Sequence, residues 1–261
     1  MDLQEQMDFI HEIFPASLPR LGAGDDASTK KALAVLLDKA SSPRDDLRSR
    51  KLRVLDIGCG NGGQTIQLAK EIDGTILAVD NHQPYLDELQ RRASAAGVAD
   101  KIQTRLKDMH GLGAEEGVFD LAWCEGAIFI MGFEAGLAAW RSLLAAGGLL
   151  AVSDMAWFRP GAPDECRRFF AEAYPAMADV EANLATIRAC GYKLIGHFRQ
   201  PESAWWDEYY NPLGDHLPAL QARHAAHAEK LAMLAAIQTE IDLYRKHADY
   251  YGHVFYLMQR G

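Results

Sequence analysis

Apolar runs alternate with stretches of helical spacing along most of this chain. Runs near Arg53, Ile76, Ile102, Leu121, Leu149 and Leu194 have the length and apolar content of buried strands, and the intervening stretches read as helices. That alternation predicts a mostly parallel sheet joined by right-handed crossovers. A final run, Val254 to Met258, predicts an antiparallel last strand. Ahead of the first strand, Phe9, Ile10, Ile13 and Phe14 recur at helical spacing, and Ser28-Thr29 stands where it can cap a helix through Leu33, Val35 and Leu36. The expected architecture is α/β: a doubly wound, mostly parallel seven-stranded sheet with an antiparallel last strand, an N-terminal helical lid and helical insertions. The lid is expected over residues 1–45, with Gly22-Ala23-Gly24-Asp25-Asp26 as a flexible turn between its helices.

Residues 46–261 then form the main domain, with insertions expected at about 155–177 and 201–249. The first carries Trp157, Phe158, Phe169, Phe170 and Tyr174. The second carries Trp205, Trp206, Tyr209 and Tyr210, followed by a helical stripe from Leu217 to Tyr244 that suits packing against the sheet or against another subunit. Trp157, Trp205 and Tyr209 are candidates for walls of a substrate pocket, although aromatic residues at this density also make ordinary core.

The richest chemistry lies where the first strand ends. Val54, Leu55 and Ile57 suit a buried parallel strand, and Gly58, Gly60, Gly62 and Gly63 follow at once. Glycines there permit positive φ and close approach of a ligand to the free N–H groups of a helix start. Asp56, two residues before the first glycine, would be poorly placed beside a pyrophosphate. It suits a cofactor with a cationic amino-acid end, which S-adenosylmethionine has. The run Ile76 to Asp80 ends in an acid at the position from which a doubly wound sheet binds ribose hydroxyls. Asp108, closing Ile102 to Lys107, and Met109 could serve an adenine amino group and ring face.

With these motifs the chain resembles the class I S-adenosylmethionine-dependent methyltransferases. The resemblance rests on Asp56 to Gln64, Asp80, Asp108, Phe119 to Trp123, and Leu143 to Val152, which fall in family order and cover about Leu52 to Asp154. Glu125 to Phe129, Gly132 to Glu134 and Asp249 to Tyr256 resemble a poorly characterised bacterial subgroup acting on small molecules. The resemblance implies a cofactor set of Asp56, Gly58, Gly60, Asn61, Gly62, Gln64, Asp80, Asn81, Asp108, Met109 and Glu125. It implies S-adenosyl-L-methionine as cofactor and a small-molecule acceptor as partner.

Composition narrows the alternatives. With 49% hydrophobic and 24% charged residues over 261 positions, the chain is ordinary globular protein able to bury a substantial core. A net charge of -9 disfavours a general nucleic-acid surface. The basic stretch Arg44, Arg48, Arg50, Lys51 and Arg53 is interrupted by Asp45 and Asp46 and reads as a solvated linker. Neither a leader pattern nor a membrane-length apolar run is present in the sequence, so a cytoplasmic location is expected. Cys59, Cys124, Cys166 and Cys190 have no metal-ligand spacing, and His216, His224 and His227 lack a zinc pattern, so no metal is expected.

Methyl transfer needs the acceptor held in line with an already activated methyl group, worth up to roughly 7–11 kcal/mol in well-oriented systems. A general base is needed only where the acceptor arrives protonated. Glu125, just past the fourth strand, is the candidate base; it could equally cap the segment from Gly126 or contact the cofactor. A cofactor-binding protein without turnover and, less well supported, a nicotinamide-dependent oxidoreductase are the competing readings.

Overall fold

The computed structural model describes residues 1–39 and 51–261. Arg44, Arg48 and Arg50 of the basic stretch and the expected boundary at 45/46 lie outside the described residues. Seven strands form one sheet in the order β3-β2-β1-β4-β5-β7-β6. They are β1 (Leu52–Ile57), β2 (Gly74–Asp80), β3 (Ile102–Leu106), β4 (Phe119–Glu125), β5 (Leu144–Trp157), β6 (Tyr192–Arg199) and β7 (Tyr251–Arg260). The first five pair in parallel, and β7 runs antiparallel between β5 and β6. Strand order reverses between β1 and β4, the place where open α/β sheets bind ligands beyond the strand ends.

Burial on both faces explains the unbroken apolar strands. On one face, Leu55, Ile57, Leu150 and Val152 pack beneath helices α5 (Phe133–Trp140) and α7 (Val180–Ala189). On the other, Val54, Ile76, Leu121 and Leu257 pack beneath α3 (Gly63–Glu71) and α4 (Gln83–Ala95). Helix α2 (Asp26–Lys39) joins this second face through Ala32, Leu33 and Leu36. Helix α1 (Leu3–Ile13) goes elsewhere: its Phe9 and Ile13 enter a third cluster with α6 (Asp164–Ala173), α9 (Asn211–Arg223) and α10 (Ala228–His247). The two N-terminal helices therefore part company. Of the two helices expected as an N-terminal lid, α2 packs on the sheet and α1 in the cap.

Three local readings change. Asp25 caps α2, accepting from Ser28 N–H, because Ser28 and Thr29 lie inside the first turn and are buried. The stretch Gly22 to Asp26, expected as a flexible turn, is held against the body, with the Gly24 N–H donating to the Ala204 carbonyl at 2.9 Å and Ala23 buried. The first insertion begins after Trp157 instead of Asp154, since Met155, Ala156 and Trp157 continue β5 by pairing with His253, Gly252 and Tyr251. That same pairing starts the last strand at Tyr251. The second insertion opens with α8 (Ser203–Trp205) and a π-helical turn, Trp206–Tyr210, that runs straight into α9.

Candidate active site

The turn after β1 is built by its glycines. Gly58, Gly60 and Gly62 have φ of +68°, +53° and +88°, the left-handed region that other residues enter at a cost of about 1–2 kcal/mol. A Cβ at Gly62 would meet the Leu89 side chain at 2.1 Å, so α4 packs directly on this backbone. Asp56 lies fully buried beneath the turn, where Thr65 Oγ1 donates to Oδ2 at 2.6 Å and Gln64 Nε2 approaches Oδ1 at 3.4 Å. Burial pushes its carboxyl up to about 7, against the opposing pull of those two donors. Thus Asp56 braces the turn from inside.

Asp80, at the end of β2, grips the same turn from the side. Its Oδ2 accepts from Gly60 N–H at 2.9 Å and its Oδ1 from His82 N–H at 3.0 Å. Burial raises its carboxyl, and these backbone donors pull it back toward ionisation. Asn81 is exposed beside it. Asp108 is exposed and accepts from both His110 N–H and the His110 ring, which lower its carboxyl. Met109 is partly buried, with Cε 3.2 Å from the place a Gly58 Cβ would occupy. Asp56, Asp80 and Met109, from the ends of β1, β2 and β3, therefore gather around one turn.

A segment far away in sequence crosses this turn. Asn61 donates to the carbonyls of Ala16 and Leu18 at 3.2 and 2.6 Å, and Tyr85 donates to that of Phe14 at 2.7 Å. From α4, Arg92 reaches the carbonyls of Ala16, Leu18 and Pro19. Leu21 lies over Gly60, with Cδ1 3.1 Å from where a Cβ would stand, and Arg20 lies over Gly63. Residues 14–21 thus cover the cofactor turn through their own backbone carbonyls.

Glu125 sits where this segment meets the sheet. Its side chain is 3% exposed; Thr29 Oγ1 donates to Oε2 at 2.9 Å, Trp123 Nε1 donates to Oε2 at 3.2 Å, and Arg20 stands 3.5 Å from Oε1. Gly24 packs so closely that a Cβ there would fall 2.5 Å from Oε1. Burial raises the Glu125 carboxyl, with Arg20, Trp123 and Thr29 opposing the shift. Arg20 also binds Asp26 at 2.7 Å and Glu208 at 2.8 Å, tying β4, α2 and the second insertion together. Sequence reasoning passed over Arg20, which belongs to no local motif, and read Thr29 only as part of a helix cap.

The three predicted pocket aromatics do not converge on one point. Trp157 is half-buried and lines a cleft of ≈ 1130 Å³ with Phe170, Tyr174 and Arg199, at the strand ends of β5 and β6. None of the expected cofactor residues lines that cleft. Trp205 is buried in the cap, stacked on Tyr244 at 4.3 Å, and Tyr209 is partly buried and stacks on Tyr210 at 4.9 Å. Beside the cleft, Tyr174 donates to the buried Asp154 at 2.7 Å, and burial pushes the Asp154 carboxyl up to about 7. His216 and His224 bind Glu12 of α1. Among the described residues no cluster of His, Cys, Asp or Glu is arranged to hold a metal ion, and no helix is long and apolar enough to cross a membrane.

Comparison with known proteins agrees with this geometry. Residues 54–148 match the family described as a methyltransferase domain. Over 90 residues the chain is 32% identical to a protein of Pseudomonas putida named "Probable fatty acid methyltransferase", a match spanning 32% of this chain and 23% of that protein. Two solved structures, S-adenosylmethionine-dependent methyltransferases of Geobacter sulfurreducens and Thiobacillus denitrificans in complex with S-adenosyl-L-homocysteine, superpose with TM-scores of 0.75 and 0.77. Each is 18% identical, with 100% of this chain and 99% and 100% of theirs covered. At that identity the likeness is one of fold. Residues 54–148 thus match a methyltransferase domain, and the sheet around them has the fold of S-adenosylmethionine-dependent methyltransferases.

Proposed function

We propose that this chain transfers the methyl group of S-adenosylmethionine to a small-molecule acceptor. The observation that carries the reading is the turn from Gly58 to Gly62, whose left-handed glycines bring the backbone to the start of α3 beneath residues 14–21 while Asp80 grips it from the end of β2. The residues fit the cofactor at both of its ends. Backbone N–H groups at the start of α3 suit a carboxylate, Asp56 beneath them suits a neighbouring ammonium, and Asp80 keeps lone pairs for ribose hydroxyls. Asn81, Asp108 and Met109 form the adenine side, with Met109 against the ring and Asp108 toward its amino group. When bound, the cofactor supplies an activated methyl group; the chain supplies position and exclusion of water.

Glu125 is assigned to closure. With partners on both oxygens it fastens residues 20–29 over the turn, which shields the transfer position from water. A small acceptor is favoured by the covered site, by the net charge of -9 and by the small substrate in the name of the Pseudomonas relative. The free cysteines Cys59, Cys124, Cys166 and Cys190 suit a reducing compartment, the cytoplasm.

Thermal unfolding with S-adenosylmethionine, S-adenosylhomocysteine and NAD tests the cofactor, since a ligand at a hundred times its Kd stabilises the native state by about 2.7 kcal/mol. The first two are expected to raise the Tm and NAD to leave it unchanged; stabilisation by NAD alone would overturn the reading. Methyl transfer from labelled S-adenosylmethionine to a panel of hydroxyl, amine and thiol compounds then separates an enzyme from a binding protein.

A further inference from the structure

His253 stands in β7, opposite Met155 of β5, within the C-terminal stretch Asp249 to Tyr256 that the cofactor site does not use. The residue is 7% exposed and its Nδ1 is buried without a hydrogen-bond partner. The backbone of Ala23, in the segment that covers the site, lies against the ring and opposes the lowering of its imidazole by burial. Trp205 meets it edge to face at 4.8 Å. On its remaining side lies Gly126, the residue after Glu125 at the end of β4. A Cβ at Gly126 would fall 3.3 Å from the His253 Cε1 and 4.0 Å from Nδ1, so glycine keeps this buried ring edge clear of a side chain. The Gly126 N–H is spent on Ser153, at 2.9 Å to Oγ and 3.2 Å to the carbonyl, and does not serve the ring. A buried ring nitrogen left without a partner in this way is uncommon and points to a ligand.

We propose that Nδ1 of His253 accepts the proton of the methyl acceptor, which is therefore a hydroxyl or amine compound carrying hydrogen on the atom methylated. The proposal rests on the methyl-transfer reading above. The acceptor's lone pair forms the bond to the methyl carbon while the carbon–sulfur bond breaks, its electron pair staying on the sulfur of S-adenosylhomocysteine. The hydrogen on the acceptor atom leaves as a proton to Nδ1. On this assignment the other ring nitrogen donates to the Ala23 backbone, which leaves the lone pair on Nδ1 and steadies the imidazolium once formed. Burial lowers the imidazole to about 4, which keeps that lone pair available at neutral pH. Glu125 has no oxygen without a neighbour, whereas His253 has a nitrogen without one.

The test uses the full chain with two variants, His253→Gln, which retains a donor for Ala23 but no base, and His253→Ala. Nitrogen NMR of histidine-labelled wild type is expected to show Nδ1 unprotonated and the other ring nitrogen protonated between pH 6 and 8. The reverse tautomer overturns the proposal without any acceptor. Calorimetry with S-adenosylhomocysteine is expected to give Kd values for His253→Gln within about threefold of wild type. Single-turnover methylation is then read on matched pairs, a phenol or secondary amine against a tertiary amine or thioether of the same shape. His253→Gln should lose about a hundredfold or more on the first class and stay within about threefold on the second. Equal loss on both classes, or none, overturns the assignment of His253 alone. A wild-type chain that binds S-adenosylhomocysteine but methylates neither class overturns the methyl-transfer reading with it.

Discussion

The turn after β1 and the cap above it hold the same site by opposite means. The turn is made by contacts between sequence neighbours: Thr65 lies nine positions from Asp56, and Gly60 lies 20 from Asp80. The cap is made by contacts across the chain, with Arg20 reaching Glu125 over 105 positions and Glu208 over 188. One is a local motif on a rigid sheet, the other a seam between distant segments. Changes in the turn should therefore cost cofactor affinity first, and changes in the seam should cost closure and stability first.

The largest expected effect is at Asp80. Asp80→Ala removes the carboxylate that holds Gly60 N–H and that we propose binds the ribose, while the strand around it keeps its pairing with β1 and β3. A charged hydrogen bond contributes about 1.5–3 kcal/mol, so loss of two or more should weaken S-adenosylmethionine about a hundredfold or more. Calorimetry on the folded variant reads it directly. Unchanged affinity would remove Asp80 from the cofactor and leave it a brace for the turn.

The same contrast explains what the sequence disclosed. Strand positions, the antiparallel β7 and the glycine turn follow from burial on both faces and from φ values only glycine takes readily, and both leave marks within a few residues. The clustering of Asp56, Asp80 and Met109 was legible because parallel strands deliver their C-terminal ends to one edge. Arg20, Thr29 and His253 were not. Nothing near Arg20 marks it as the partner of three carboxylates, and the neighbours of His253 between Asp249 and Tyr256 give no hint of an unpaired nitrogen. Helix α2 was misplaced for a related reason, since an apolar stripe says that a helix packs but not on what.

A middling effect is expected at the seam itself. Glu125→Gln keeps the size of the side chain and an acceptor for Thr29, but takes a charge away from Arg20, which retains Asp26 and Glu208. The expected outcome is a stability loss of about 1–3 kcal/mol with a smaller fall in cofactor affinity, read by thermal unfolding and calorimetry. The single-turnover rate on a saturating acceptor should stay within a few-fold of wild type. A loss of about a hundredfold in that rate, with native Tm and affinity, would instead make Glu125 the general base.

The smallest effect separates the two regions by pH. Asp56 beneath the turn and Asp154 behind Tyr174 are both pushed by burial up to about 7, from an ordinary 3.8. Between those values the native state holds a proton that the unfolded chain has released. These two groups therefore lower stability as pH rises from about 4 to about 7, by up to about 1.4 kcal/mol per pH unit for each, and their contribution levels off above. Asp154→Asn keeps an acceptor for Tyr174 and cannot ionise, so its unfolding free energy should fall less steeply than wild type across that window. Denaturant unfolding at half-unit intervals measures the slope. Saturating S-adenosylhomocysteine sharpens the contrast, because its ammonium beside the turn favours ionised Asp56 and should flatten the slope that remains in Asp154→Asn. The Asp154 contribution, on the far side of β5, should persist in wild type with the ligand bound. A slope in Asp154→Asn equal to that of wild type would mean that Asp154 is already ionised in the native protein at pH 5, with Tyr174 donating to a carboxylate.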